Sequence, residues 1–233
     1  MKKRIWELDA LRGICIIGVV LVHLVYDLVE MFGILNWEYP QWFSFIKNWG
    51  GVIFLVLSGI CVTLGTRFFR RGLIVFGGGV LCTLATYGMC RFGFDKSIMI
   101  YFGVLHCLGA CMVLWSMYKS MPWWALLFHG ATLIWAGFLI ESIVAPESWM
   151  VILGFYQPGF SSSDYFPLLP NLGFFLAGAA LGRLLYKKKQ SLIPCVNSKT
   201  LLVRPFCFCG RHSLWIYLIH QPVLAGICYL LTL

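Results

Sequence analysis

Charge is what this sequence has least of. Only 12% of its 233 residues are Asp, Glu, Lys or Arg, against roughly a quarter in soluble domains, which excludes a water-covered globule of this length. Acidic residues are scarcer still: nine, against 18 Lys and Arg, for a net charge of +9. In a soluble chain that excess would point to nucleic acid. Here the basic residues flank apolar segments, so membrane topology accounts for them and nucleic acid is not an expected partner. Disulfide and metal patterns are missing too. Of ten cysteines, Cys15, Cys61, Cys82, Cys107, Cys111 and Cys228 fall in apolar runs, where Cys behaves as a small hydrophobe. Cys207-Phe208-Cys209 lacks the two-residue spacer of a redox motif and a nearby histidine pair, so no metal is expected. Internal repeats are absent, against a repeat-built transporter.

What is present is apolar: 60% of the chain, with 17% aromatic. A bilayer span needs about 20 such residues. Segments 10–29, 49–66, 72–90, 97–118, 122–141, 167–186 and 211–231 meet or approach that length. The first resembles a signal peptide, but Val25-Tyr26-Asp27 and the residues after it offer no small-residue cleavage site, so it is read as a retained helix. The expected fold is therefore all-α: one polytopic bundle over 1–233 with about seven spans. The positive-inside rule tests the count. With the N-terminus cytoplasmic, Lys2, Lys3, Arg4, Arg12, Arg67, Arg70, Arg71, Lys119, Arg183, Lys187, Lys188, Lys189, Lys199, Arg204 and Arg211 lie inside. Only Lys47, Arg91 and Lys96 lie outside, a split of 15 to 3. Outer loops gather Glu30, Glu38, Asp95, Glu141, Glu147 and Asp164, and the C-terminus faces out. Residues 142–166 form an outer loop with a short interfacial helix at Trp149–Tyr156, and the basic residues 187–205 form the main inner loop. Gly173, Ala177, Gly178 and Gly182 on the sixth span suit close helix packing; they permit a homodimer without requiring one.

Ionisable groups within a bilayer cost about 2.5–3.5 kcal/mol each on insertion scales and are functional candidates by default. The first span carries Asp9, Arg12, His23 and Asp27. Arg12 and His23 are eleven residues apart, on one helical face and about 16 Å apart along the axis at 1.5 Å per residue. Arg12 then sits at the inner surface and His23 in the outer half. Asp27 follows His23 by one turn, within reach at i,i+4, where a carboxylate accepting from one imidazole nitrogen leaves the other free to take a proton. His106 and His220 fall near the middle of the fourth and seventh spans, at depths that let all three histidines converge on one cavity. Pro222 frees a carbonyl one turn earlier. His129 reads as structural, and His212 as a helix start or anion contact.

These residues resemble a known superfamily. Leu8-Asp9-Ala10-Leu11-Arg12-Gly13 followed by His23, and Phe54-Leu55-Val56-Leu57-Ser58-Gly59, resemble the first two helices of the integral membrane acyltransferases of acyltransferase family 3. Phe102-Gly103-Val104-Leu105-His106-Cys107-Leu108-Gly109 is closer still to small bacterial relatives of the heparan-α-glucosaminide N-acetyltransferase catalytic domain. So are Pro167-Leu168-Leu169-Pro170-Asn171-Leu172-Gly173 and the run from Gly210-Arg211-His212 to His220-Gln221-Pro222. The resemblance implies a multi-pass protein of the bacterial inner membrane that moves an acetyl or other acyl group from cytoplasmic acyl-CoA to a sugar amine or hydroxyl outside. It also implies that Arg12 and His23 are the functional pair.

On that reading His23, Asp27, His106 and His220 are the catalytic candidates, with His23 as base or acyl carrier. Arg12, Arg67, Arg71, Arg211, His212 and Ser58 are the candidates for holding acetyl-CoA, since guanidinium groups suit its phosphates. Asn171, Ser58, Tyr217 and Gln221 are candidate donors to the oxyanion. Two other classes use the same residues: a proton-coupled transporter or flippase with a histidine relay, and a haem protein with His106 and His220 as axial ligands. The transferase reading expects CoA to raise the melting temperature of the purified protein and expects its absorbance scan to lack a Soret band. Proton-coupled flux without CoA turnover, or a Soret band, would select the other classes.

Overall fold

The computed structural model describes residues 5–93, 95–195 and 200–232. Lys2, Lys3, Arg4 and Lys199, assigned above to the cytoplasmic side, lie outside them. The fold is all-helical. Its helices are α1 (Trp6–Tyr26), α2 (Gln41–Val62), α3 (Phe68–Arg91), α4 (Val104–Tyr118), α5 (Trp123–Ile140), α6 (Leu168–Leu185), α7 (Arg204–Arg211) and α8 (Ser213–Leu231). A π-helical turn, Asp27–Met31, prolongs α1, and 3-10 turns occupy Lys96–Ile98 and Ser148–Leu153. The latter falls where the short helix of the outer loop was expected. Among the described residues there is no strand, only an isolated bridge between Val144 and Tyr156. Helices are what a hydrocarbon environment demands, because every backbone N–H and C=O must be satisfied within its own segment.

Among the described residues six helical segments are long and apolar enough to cross a membrane: Trp6–Met31, Gln41–Val62, Phe68–Arg91, Trp123–Ile140, Leu168–Leu185 and Ser213–Leu231. The expected fourth segment, 97–118, becomes helical only at Val104. Its 15 residues span about 22 Å, short of a hydrocarbon core of about 30 Å. The physical reason is a clamp on the apolar residues ahead of it. The Thr83 hydroxyl donates to the Ile100 carbonyl at 2.8 Å and the Ile100 N–H donates to Thr86 Oγ1 at 3.2 Å. Ser163 N–H donates to the Met99 carbonyl and Phe166 N–H to the Phe102 carbonyl, at 3.2 and 2.9 Å. These bonds satisfy the backbone of Met99–Phe102 in a non-helical form. In the adjoining loops, hydrogen bonds from the Ser97 side chain and then its backbone N–H, the latter at 2.6 Å, hold the Asp95 carboxyl below the usual range. Tyr165 donates to the Val151 carbonyl at 2.7 Å, and burial pushes its phenol up to about 12.

The chain forms two compact units: Met1–Phe54 with Lys188–Leu233, and Leu55–Lys187. In the first, α1 packs against α7 and α8. The approach of α1 to α7 is backbone to backbone: a Cβ on Gly13 would overlap the Phe206 carbonyl, and one on Gly210 the Asp9 carbonyl. The start of α1 is also tied to the segment before α7. Buried Glu7 accepts from Ser191 Oγ and Leu192 N, each at 2.8 Å, and Trp6 Nε1 donates to the Ile193 carbonyl at 3.1 Å. At the other end Lys47 pairs with Glu30 at 3.1 Å and lies over the rings of Tyr26 and Tyr39.

The second unit packs α3 on α4, and α5 on α6. The small residues of the sixth span do what their spacing suggested. A Cβ at Gly173 would press on the Gly130 carbonyl of α5, and one at Gly178 on the Val56 carbonyl. Phe175, Leu176 and Leu126 are fully buried there, while Trp124, Phe128, Trp135 and Phe138 project outward, the inside-out distribution of a helix that meets lipid.

Gly210→Ala is expected to lower the stability of the detergent-solubilised protein by about 1–3 kcal/mol, the usual cost of forcing a group into a packed contact. Gly226→Ala, with nothing within 4 Å of its Cβ, serves as the control in the same thermal melt. Equal melting of the two variants would contradict the close α1–α7 approach.

Candidate active site

The first unit carries its polar side chains in two layers along α1. At the start of α1, Asp9 sits between two guanidinium groups: Arg12 Nη1 lies 3.9 Å from its Oδ1 and Arg211 Nε 3.5 Å from its Oδ2. Arg211 ends α7 and α8 begins two residues later, so the approach of α7 to α1 delivers this cation to Asp9. His212, between the two helices, is exposed and rests its ring on Phe208, with centroids 4.6 Å apart. Its backbone carbonyl accepts from Ile216 N–H, which makes it the helix start that the sequence suggested.

The second layer lies about 16 Å further along the axis at 1.5 Å per residue. There the His23 ring meets the His220 ring of α8 edge-on, with centroids 4.9 Å apart and planes at 72°. His220 is buried, and its Nδ1 bonds the Tyr217 carbonyl at 2.6 Å. A carbonyl accepts only, so Nδ1 carries the hydrogen and Nε2 keeps its lone pair. That Nε2 is buried and has no hydrogen-bond partner among the described residues.

The expected His23–Asp27 pair is not what forms. Asp27 is fully buried, and both of its carboxylate oxygens accept from Gln221 Nε2, at 2.8 and 3.1 Å. The helix is still α between the two, with Asp27 N–H bonding the His23 carbonyl, and it is the Gln221 amide that occupies both carboxylate oxygens. Beyond Asp27 the chain turns π-helical, with Phe32 N–H donating to the Asp27 carbonyl at 2.9 Å, and π-turns recur at functional sites. Gln221, read from sequence only as an oxyanion donor, is thereby the partner of Asp27. Its own carbonyl oxygen, Oε1, is buried with no partner among the described residues. The one sequence signal for it is its position between His220 and a proline inside a helix.

The remaining candidates belong to the second unit. His106 is in the first turn of α4 rather than mid-span, because helix begins only at Val104. Its Nδ1 accepts from Gly103 N–H at 3.2 Å and its Nε2 lies 3.4 Å from Thr83 Oγ1. Phe102 stacks on its ring and Phe76 meets it edge-on. These are the bonds of a helix cap. Asp164 adds to it by accepting from Val104 N–H at 3.0 Å. Arg67 and Arg71 are exposed at the start of α3, and Ser58 is half-buried in α2. Buried Asn171 donates to the Pro167 carbonyl at 2.8 Å. His129 bonds the Ala125 carbonyl at 2.9 Å, the structural role read from sequence. The Arg183 guanidinium binds the carbonyls of Met121 and Lys119, closing the turn between α4 and α5. Among the described residues no group of three or more His, Cys, Asp or Glu is placed to hold a metal ion.

The family model described as "Heparan-alpha-glucosaminide N-acetyltransferase, catalytic" matches residues 4–222 of the chain, a range that takes in both polar layers. No curated protein and no solved structure matches.

Proposed function

Since the chain belongs to the heparan-α-glucosaminide N-acetyltransferase catalytic family, a family of membrane acetyltransferases, we propose that it moves an acetyl group from cytoplasmic acetyl-CoA to a sugar amine or hydroxyl on the far side of the bacterial inner membrane. The observation that carries this reading is the imidazole pair His23–His220, set on the same helix as the Asp9–Arg12–Arg211 ion cluster. In the proposal, N-terminus and ion cluster face the cytoplasm. Arg12 and Arg211, each needing only one carboxylate oxygen of Asp9, keep donors for the phosphates of the coenzyme. The slender pantetheine arm then spans the roughly 16 Å to His23.

The chemistry balances with the residues named. The acceptor heteroatom bonds the thioester carbonyl carbon as its proton passes to the imidazole of His23. The C–S bond then breaks, and the coenzyme leaves as a thiol with that proton. In the covalent variant the imidazole nitrogen of His23 takes the acetyl group first as the C–S bond breaks and the coenzyme leaves as thiolate; the acceptor then takes the acetyl group from the imidazole, and its proton passes to that thiolate. Asp27 serves this site through Gln221 rather than by holding His23. The haem alternative loses support at His106, whose Nδ1 lone pair accepts from Gly103 N–H, so that in the neutral ring the hydrogen sits on Nε2, facing Thr83 Oγ1.

His23→Ala is expected to lower kcat by about 10²–10⁴, the range for loss of a general base, with the thermal melt unchanged. Near-normal turnover would remove the proposed base. Arg12→Ala is expected to raise KM for acetyl-CoA about tenfold, the loss of one charge-assisted phosphate contact, with KM for the acceptor unmoved. An equal rise in both would remove the phosphate role.

A further inference from the structure

Two buried lone pairs on consecutive residues of α8 have no donor among the described residues: Nε2 of His220 and Oε1 of Gln221. Each is fixed in kind by what its other atom does. The Tyr217 carbonyl takes the Nδ1 hydrogen of His220, so Nε2 can only accept. Both carboxylate oxygens of Asp27 take Gln221 Nε2, and a flipped amide would set its oxygen against that carboxylate, so Oε1 too can only accept. Both side chains are turned onto α1, one against the ring of His23 and the other against Asp27, which are neighbours one turn apart. Along the α8 axis the two residues differ by a single rise of about 1.5 Å. A buried acceptor left unmatched costs about 1–3 kcal/mol, and a ligand N–H or O–H that donates to it removes that cost.

We infer that Gln221 is the specificity-determining residue for the sugar: its Oε1 accepts from a hydroxyl adjacent to the reacting amine or hydroxyl, which itself faces the imidazole pair. The acceptor class is then a vicinal amino alcohol or diol. Asp27 is a positioning residue that locks the Gln221 amide in its accepting orientation. The inference rests on the acetyltransferase reading and deepens it.

The test measures acetyl transfer by the full chain in lipid nanodiscs, from acetyl-CoA to methyl glucosaminide and to its 3-deoxy analogue, which, with C1 blocked as the methyl glycoside, has no hydroxyl next to the amine. The unaltered protein is expected to show a KM at least about tenfold lower for methyl glucosaminide, one good hydrogen bond to a buried group. Gln221→Leu should bring the two sugars to the same KM while KM for acetyl-CoA stays in place. If Gln221→Leu alone fails to fold around a stranded Asp27, the double variant Asp27→Leu with Gln221→Leu makes both partners apolar and should show the same loss of discrimination. Equal KM values in the unaltered protein, or discrimination that survives either variant, overturns the inference. So does a protein that binds CoA yet acetylates neither sugar. A chain that neither binds CoA nor consumes acetyl-CoA overturns the acetyltransferase reading itself.

Discussion

A buried carboxylate on a membrane helix has to find its donors inside the protein, and Asp27 finds its donor in Gln221 of α8. Much of the first unit's polar order depends on that one hydrogen-bonded contact. It brings the C-terminal end of α1 to α8 at the level where His23 and His220 meet. It also fixes which way the Gln221 amide faces. The N-terminal end of α1 is held by a second charged contact, Asp9 with Arg12 and Arg211. Between the two the helix is apolar, with Ile16 buried and Leu11, Ile14 and Leu21 outward. The polar groups are thus few, each is costly to leave alone, and their pairing therefore selects how α1 and α8 face each other more sharply than apolar contact does.

Glycine sets the other half of the geometry. Where α1 meets α7, Gly13 and Gly210 let one backbone lie directly on the other, and that closeness is what allows Arg211 to reach Asp9 from the end of a helix only eight residues long. Pro205 near the start of that helix fits the first turn, where its missing N–H costs nothing.

Most of the helices were legible from apolar run length alone, and the departures have local causes. α2 starts at Gln41 rather than near position 49: it opens directly after Pro40, whose carbonyl accepts from Ser44 N–H, and Lys47, which interrupts the apolar run, is carried within it paired to Glu30. α4 starts late because Ile98 to Phe102, apolar enough to pass for a span, has its backbone tied up by threonines of α3 and by the segment after Phe160. α7 hides in a stretch that composition reads as a basic loop. In the site, the shared depth of His23 and His220 was readable from position within their spans. The partner of Asp27 was not. It lies 194 residues away, and spacing within α1, which stays α up to Asp27, points to His23 but carries no information about α8.

The ties from Glu7 and Trp6 to residues 191–193 carry a consequence for biogenesis. α1 leaves the ribosome long before α7 and α8, the helices it packs against in its own unit. While the intervening polypeptide is synthesised, Glu7, Asp9 and Asp27 sit on a newly inserted segment without their partners from residues 191–221. A nascent helix in that condition is a poor free tenant of lipid. It is best sheltered by the insertion machinery until α7 and α8 have been made, so assembly of this unit is timed by their arrival.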